Sequence, residues 1–110
     1  MALASAAALP FDPLQSAQLA GGKKSVHTVE IDKFRFIPEN LTVKPFDIII
    51  WINRDFVPHT ATADDESWDT GGIEKGGSHK FVIRPDMATR YYCRFHPNMK
   101  AAFDITPVTE

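Results

Sequence analysis

The sequence predicts an all-β protein, a Greek-key β-sandwich of about eight short strands, and three observations point that way. From Ser25 onward, brief runs of β-branched and aromatic residues are punctuated by Pro, Gly, Asn and Asp, the texture of many strands separated by turns. Residues 26–31 and 80–83 alternate in part between apolar and polar side chains, as half-buried strands do. Ile48-Ile49-Ile50-Trp51-Ile52 is instead apolar without a break, as expected of a strand covered on both faces, so this strand should be central.

Taken in order, the candidate strands are residues 26–31, 34–36, 41–43, 47–53, 60–63, 80–83, 89–93 and 101–106. Pro38, Pro45, Pro58 and Pro85 and the glycine pairs Gly71-Gly72 and Gly76-Gly77 fall between them, where chain reversals are needed. Two packed antiparallel sheets with Greek-key links accommodate this pattern, with functional loops gathered at one end. Residues 1–24 break the texture: they are rich in Ala and Leu, contain two Pro and the Gly21-Gly22 pair, and show no sustained period. They read as a flexible tail or an export-signal remnant in front of one domain at 25–110. The stretch from Ala2 to Leu9 is like the end of a weakly hydrophobic leader, without a basic n-region or a clear cleavage site.

A chain of 110 residues fits one core, which can bury roughly two-thirds of its unfolded surface. At 44% hydrophobic and 24% charged the composition is that of an ordinary folded domain, which argues against disorder or a fibrous repeat. The net charge is −2 and no window concentrates Lys and Arg, so nucleic acid is not an expected partner. The longest apolar run is far short of the roughly 20 residues a membrane-crossing helix needs, so no stable membrane insertion is expected.

A single cysteine excludes an intrachain disulfide and leaves Cys93 as a buried apolar residue, a reactive thiol or a metal ligand. Its context favours the last. In Tyr92-Cys93-Arg94-Phe95-His96-Pro97-Asn98-Met99, the Cys, His and Met recur at intervals of three after a strand, and a tight loop can turn all three toward one centre. A second imidazole is available in His59, which follows Pro58 at the exit of the central strand. Two His and one Cys with a weak, long Met bond is the ligand set of blue-copper centres; thiolate and thioether suit Cu(I) and imidazole also suits Cu(II), so one pocket serves both oxidation states. His27 and His79 lie in or beside strands and read as ordinary strand histidines; Met87 and the two Trp read as packing residues, and Asp64-Asp65-Glu66 as a solvated loop.

These segments resemble the ligand region of the cupredoxins, and within that family the amicyanin branch most. The similarity runs from about Ser25 to Thr106. It is carried by Trp51-Ile52-Asn53-Arg54, Pro58-His59 and the Cys93-x-x-His96-x-x-Met99 loop. It implies one type 1 copper ion with His59, Cys93 and His96 as strong ligands and Met99 as the axial one. It also implies that Asn53 ties the two ligand loops together and helps hold the thiolate. Electrons would leave through His96, within an apolar patch that docks redox partner proteins. The family further implies a monomer that is exported to the periplasm, and a His96 that can exchange copper for a proton in the reduced state. Departures are Thr60 where relatives often carry Asn, Ala101 where they often carry Gly, and Arg94-Phe95 in place of small residues or Pro.

The function expected is therefore single-electron shuttling and not enzymatic catalysis, for which further copper centres and a spare histidine cluster would be needed. Copper carriage or sequestration by the same ligands stands as the alternative, and a zinc-bearing or metal-free interaction module as a third reading.

Overall fold

The computed structural model describes residues 24–107, and the expected tail or leader, apart from Lys24, lies outside them. The eight strands are β1 (Val26–Asp32), β2 (Arg35–Ile37), β3 (Asn40–Val43), β4 (Ile48–Asn53), β5 (Thr62–Ala63), β6 (Ser78–Val82), β7 (Arg90–Cys93) and β8 (His96–Ile105). All eight expected strands are present; most ends move by one or two residues, but β8 begins at His96, five residues before the expected 101, so the stretch expected as a ligand loop is largely strand. Among the described residues no helix forms, and so none is long and apolar enough to cross a membrane.

The strands make two four-stranded sheets, in the orders β2-β1-β4-β6 and β3-β8-β7-β5. Neither sheet is purely antiparallel, as the sequence reading had it. β1 runs parallel to β4, with Val29 opposite Trp51, and β3 runs parallel to β8, with Leu41 opposite Phe103. Parallel neighbours require a crossover, since a hairpin can only reverse direction. Here the chain provides it by passing from one sheet to the other between β2 and β3 and back again before β4.

Inward side chains of both sheets make one core. Val29 and Ile31 of β1, Ile49 and Trp51 of β4, Phe36, Val43, Ile83, Tyr91 and Phe103 are all essentially inaccessible. Trp51 packs edge-on against Tyr91 and Phe81, and Trp68 lies against Trp51, Phe81, Tyr91 and Phe103. Aromatic groups of this size dominate core energetics and prefer such tilted or edge-on pairings. β4 is interior in its sheet, as its apolar run suggests, but only Ile49, Trp51 and Asn53 are buried; Ile48, Ile50 and Ile52 are half-covered on the outer face. The unbroken run thus reflects an interior strand with a partly covered back, not one buried on both sides.

β4 and β7 both end at the same pole of the sandwich, at Asn53 and Cys93. The site is assembled there.

Candidate metal centre

Cys93 ends β7 and His96 begins β8, with only Arg94 and Phe95 between them as a two-residue turn. The two residues are partners across the ladder. Directly opposed residues of antiparallel strands carry their side chains on one face, with Cβ atoms about 4.5–5.5 Å apart. The Cys-x-x-His spacing therefore works here through a hairpin, not through an extended loop. One step back on β7, from Cys93 to Tyr92, corresponds to four steps on β8, from His96 to Lys100, so Pro97, Asn98 and Met99 form an irregular bulge. Regular alternation would put Met99, three residues on, across the sheet from His96. The bulge resets that parity, and Met99 is buried while Pro97 and Asn98 face solvent.

His59 arrives from the segment after β4. Its backbone N–H donates to Ile73 O at 3.2 Å and its carbonyl accepts from Ile73 N at 2.7 Å, which fixes the main chain beneath a fully buried ring. His59 Nδ1 lies 3.5 Å from Cys93 Sγ and His96 Nδ1 lies 3.7 Å from it. One donor atom from each of the three residues falls within 4.8 Å of the others. A metal with nitrogens at about 2.0–2.1 Å and sulfur at about 2.3 Å spaces such donors about 3.7 Å apart when the angle between them is near 120°. The two sulfur–nitrogen separations match that spacing.

The other nitrogen of His59, Nε2, lies 2.8 Å from Asp55 Oδ2. The same carboxylate accepts the N–H of Lys33 at 2.6 Å and of Phe34 at 2.9 Å. Burial pushes the Asp55 carboxyl up, but the bonds from Phe34, Lys33 and His59 outweigh it and hold it below the usual carboxylate range. An ionised carboxylate can only accept, so Nε2 carries a proton and donates it, while Nδ1 faces Cys93. Asn53 supports this loop from beneath: its side-chain oxygen accepts from Asp55 N, and its amide donates to the carbonyls of Val57 and Ile73, each at 2.8 Å.

Asn53 thus ties together the segments on either side of His59 and makes no hydrogen bond to the Cys93 hairpin. The bridge expected of it is made by Thr60. Its backbone N–H points at Cys93 Sγ at 3.4 Å, and its hydroxyl accepts the N–H of Arg94 at 2.8 Å. That hydroxyl lies 2.8 Å from Thr62 Oγ1, which donates to Asp69 Oδ1 at 2.9 Å. The proton order is fixed from end to end: Arg94 N–H, Thr60 O–H, Thr62 O–H, Asp69 carboxylate. The Arg94 guanidinium then returns to Asp69 Oδ2 at 3.2 Å, closing a ring of polar contacts around the hairpin. Burial pushes Asp69 up, but the bonds from Gly71, Thr62 and Arg94 keep it below its ordinary range. Threonine in place of Asn is therefore an alternative bridge, and Ala101 does not take up a positive φ, so it carries no strain.

Asp55 and Phe34 are the site residues that sequence reasoning passed over. Phe34, expected at the start of a strand, sits instead in the β1–β2 turn, its ring edge-on to His59 and His96 with centroids 5.2 and 4.7 Å away. An Asp four residues before a candidate His ligand was the available signal for Asp55. Nothing local connects Phe34 to residues 59 and 96.

The mixed two-sheet sandwich with a His-Cys-His cluster at one pole is cupredoxin-like, and the cluster fits the arrangement of a type 1 copper site. Solved structures share this fold. Among them are a single-site amicyanin mutant in the reduced Cu(I) form at pH 4 (22% identity over 74% of this chain and 82% of that one, TM-score 0.66) and a methionine-to-alanine amicyanin mutant in its Cu(I) form (23%, 79% and 88%, TM-score 0.67). The purple cupredoxin from Nitrosopumilus maritimus is similar as well (20%, 73% and 99%, TM-score 0.67). No family model and no curated protein matches the sequence.

Proposed function

We propose that this chain is an electron-transfer protein in which His59, Cys93, His96 and Met99 hold one copper ion. The observation that carries the reading is the convergence of two imidazole Nδ1 atoms on a buried cysteine sulfur, with a buried methionine on the adjoining strand. Copper bound there would supply the one-electron couple between Cu(II) and Cu(I). The protein's part is to keep the donors still. His59 and Cys93 are fully buried and their neighbours are hydrogen-bonded in closed sets, so little rearrangement accompanies a change of charge. Such burial also opposes the quick metal exchange that a copper carrier needs.

His96 is half-buried and is the ligand nearest solvent. Exposed Phe34, Phe56, Val57 and Phe95 lie beside the ligands in space or in sequence and make an apolar surface for brief docking of redox proteins. Weak redox encounters bury little area and separate quickly, which suits a small patch. The proposal includes a monomeric, non-catalytic protein exported to the periplasm.

The test is to add Cu(II) to the purified protein and record visible and electron spin resonance spectra. An intense thiolate-to-copper band that is absent in Cys93→Ser is the expected result. A colourless product, or a band that survives that substitution, removes the proposal. Slow copper loss to a chelator together with rapid electron self-exchange separates electron transfer from carriage.

A further inference from the structure

We infer that Asp55 is a positioning residue that locks the Lys33–Phe34 turn to His59, so that the Phe34 ring covers the His59–Cys93–His96 cluster and controls the passage of solvent and metal. For the metal this rests on the copper reading above; the contacts themselves involve only the protein.

Lys33 and Phe34 occupy the two central positions of the β1–β2 hairpin, between the paired residues Asp32 and Arg35. Their φ values are 54° and 60°. Two-residue hairpins of this hand favour Asn-Gly or Asp-Gly, because residues with a Cβ resist positive φ. Such conformations persist only where the surroundings over-determine them. Here the surroundings are one carboxylate. Asp55 Oδ1 takes the Lys33 N–H, and Oδ2 takes both the Phe34 N–H and the His59 Nε2 proton. The bond that orients the imidazole and the bonds that hold the turn therefore end on the same two atoms.

The product of this arrangement is the position of one ring. Phe34 meets His59 at 88° and His96 at 90°, edge to face, across two imidazoles whose own centroids are 4.9 Å apart. A solvated turn tip calls for Gly or Asn; this one carries a phenylalanine that is 49% exposed on its outer side and packed against both rings on its inner side. Beneath it, His59 and Cys93 are 0% exposed.

The protein contains its own control. Phe46 also has a positive φ, 75°, and is 48% exposed, but it lies in the turn before β4, at the end of that strand remote from Asn53 and the site. The test compares Phe34→Gly, Phe46→Gly, Asp55→Asn and the Phe34→Gly/Asp55→Asn double variant in the full chain. Glycine relieves the positive φ at either turn, so these variants keep the fold. Two rates are read: alkylation of Cys93 by iodoacetamide in the metal-free protein, and copper loss to a chelator in the loaded protein. Phe34→Gly is expected to accelerate both by about tenfold or more, the scale on which lost supporting contacts weaken metal sites, while Phe46→Gly changes neither. Asp55→Asn should accelerate alkylation comparably and add less than about twofold on top of Phe34→Gly, since coupled residues are not additive. Equal rates for Phe34→Gly and Phe46→Gly overturn the cover, and full additivity in the double variant overturns the role given to Asp55. If the protein takes up no copper, the proposed function falls while the alkylation rates still decide this inference.

Discussion

β4 carries the same device at both of its ends, and only one of the two makes a site. Before the strand, Asp47 accepts the N–H groups of Ser25 and Lys44 and lies 2.9 Å from His27 Nε2. After it, Asp55 accepts the N–H groups of Lys33 and Phe34 and lies 2.8 Å from His59 Nε2. Each carboxylate gathers two backbone donors and one imidazole, and each adjoins a phenylalanine with positive φ. The difference lies on the far side of the imidazole. His27 is partly exposed and its clamp pins the start of β1 to the turn before β4, whereas His59 is inaccessible and its other nitrogen faces a cysteine. A buried Asp–His pair is thus a fastening in itself; it becomes part of a metal centre through what its second nitrogen meets.

The comparison breaks most visibly on removal of the fastening that has no site. Asp47→Ala leaves two backbone N–H groups and an imidazole without their acceptor, and should cost about 2–4 kcal/mol, since bonds to charged groups count roughly 1.5–3 each before relaxation. Urea unfolding measures it, and the copper spectrum should not change. Asp55→Asn acts in the opposite sense: an amide keeps one acceptor for three donors, and copper affinity should fall about 10–100-fold, equivalent to about 1.4–2.7 kcal/mol, by competition with a chelator.

Acid sharpens the comparison further. At Asp47, as at Asp55, burial pushes the carboxyl up, and the bonds from His27, Lys44 and Ser25 outweigh it, so its native value lies below the ordinary one. Such a group adds stability that is fully present above its unfolded value, about pH 4, and is lost as pH falls through the native value. Urea midpoints followed downward from about pH 6 should therefore drop below about pH 4 in the parent, and drop less steeply in Asp47→Asn. The smallest effect expected is that of Phe46→Gly. Relief of the positive φ is set against a more flexible unfolded chain, and the net should lie within about 1 kcal/mol by thermal unfolding.

Composition and punctuation were enough to read the eight strands, because β-branched runs such as 48–52 and breakers such as Pro45 and Pro58 act locally. The His-Cys-His cluster was legible from its ligand types: Cys, His and Met recur at intervals of three, and His59 follows the exit of the central strand. That the Cys93–His96 spacing is a hairpin rung was visible only in the fold. What the sequence hid is long-range. The parallel pairings of β1 with β4 and of β3 with β8 depend on how the sheets exchange strands. Phe34 reaches the cluster only because a carboxylate 21 positions away holds its turn. The inward turn of Met99 depends on a three-residue irregularity that strand periodicity would misread. Asn53 and Thr60 show a subtler limit, since the bridging task expected of one is carried out by the other through a hydroxyl relay.

The pairing of Cys93 with His96 across adjacent strands also bears on how the pocket could change. Their separation is a rung of the backbone ladder and belongs to the sheet, so it exists before any ion arrives and survives after one leaves. Lengthening the stretch between them would be absorbed at the tip of the hairpin, with the sulfur and the imidazole still side by side, whereas one residue gained or lost within β7 would swing the sulfur to the opposite surface. The pole is free to vary in length at its tip and has no such freedom in the strand beneath it.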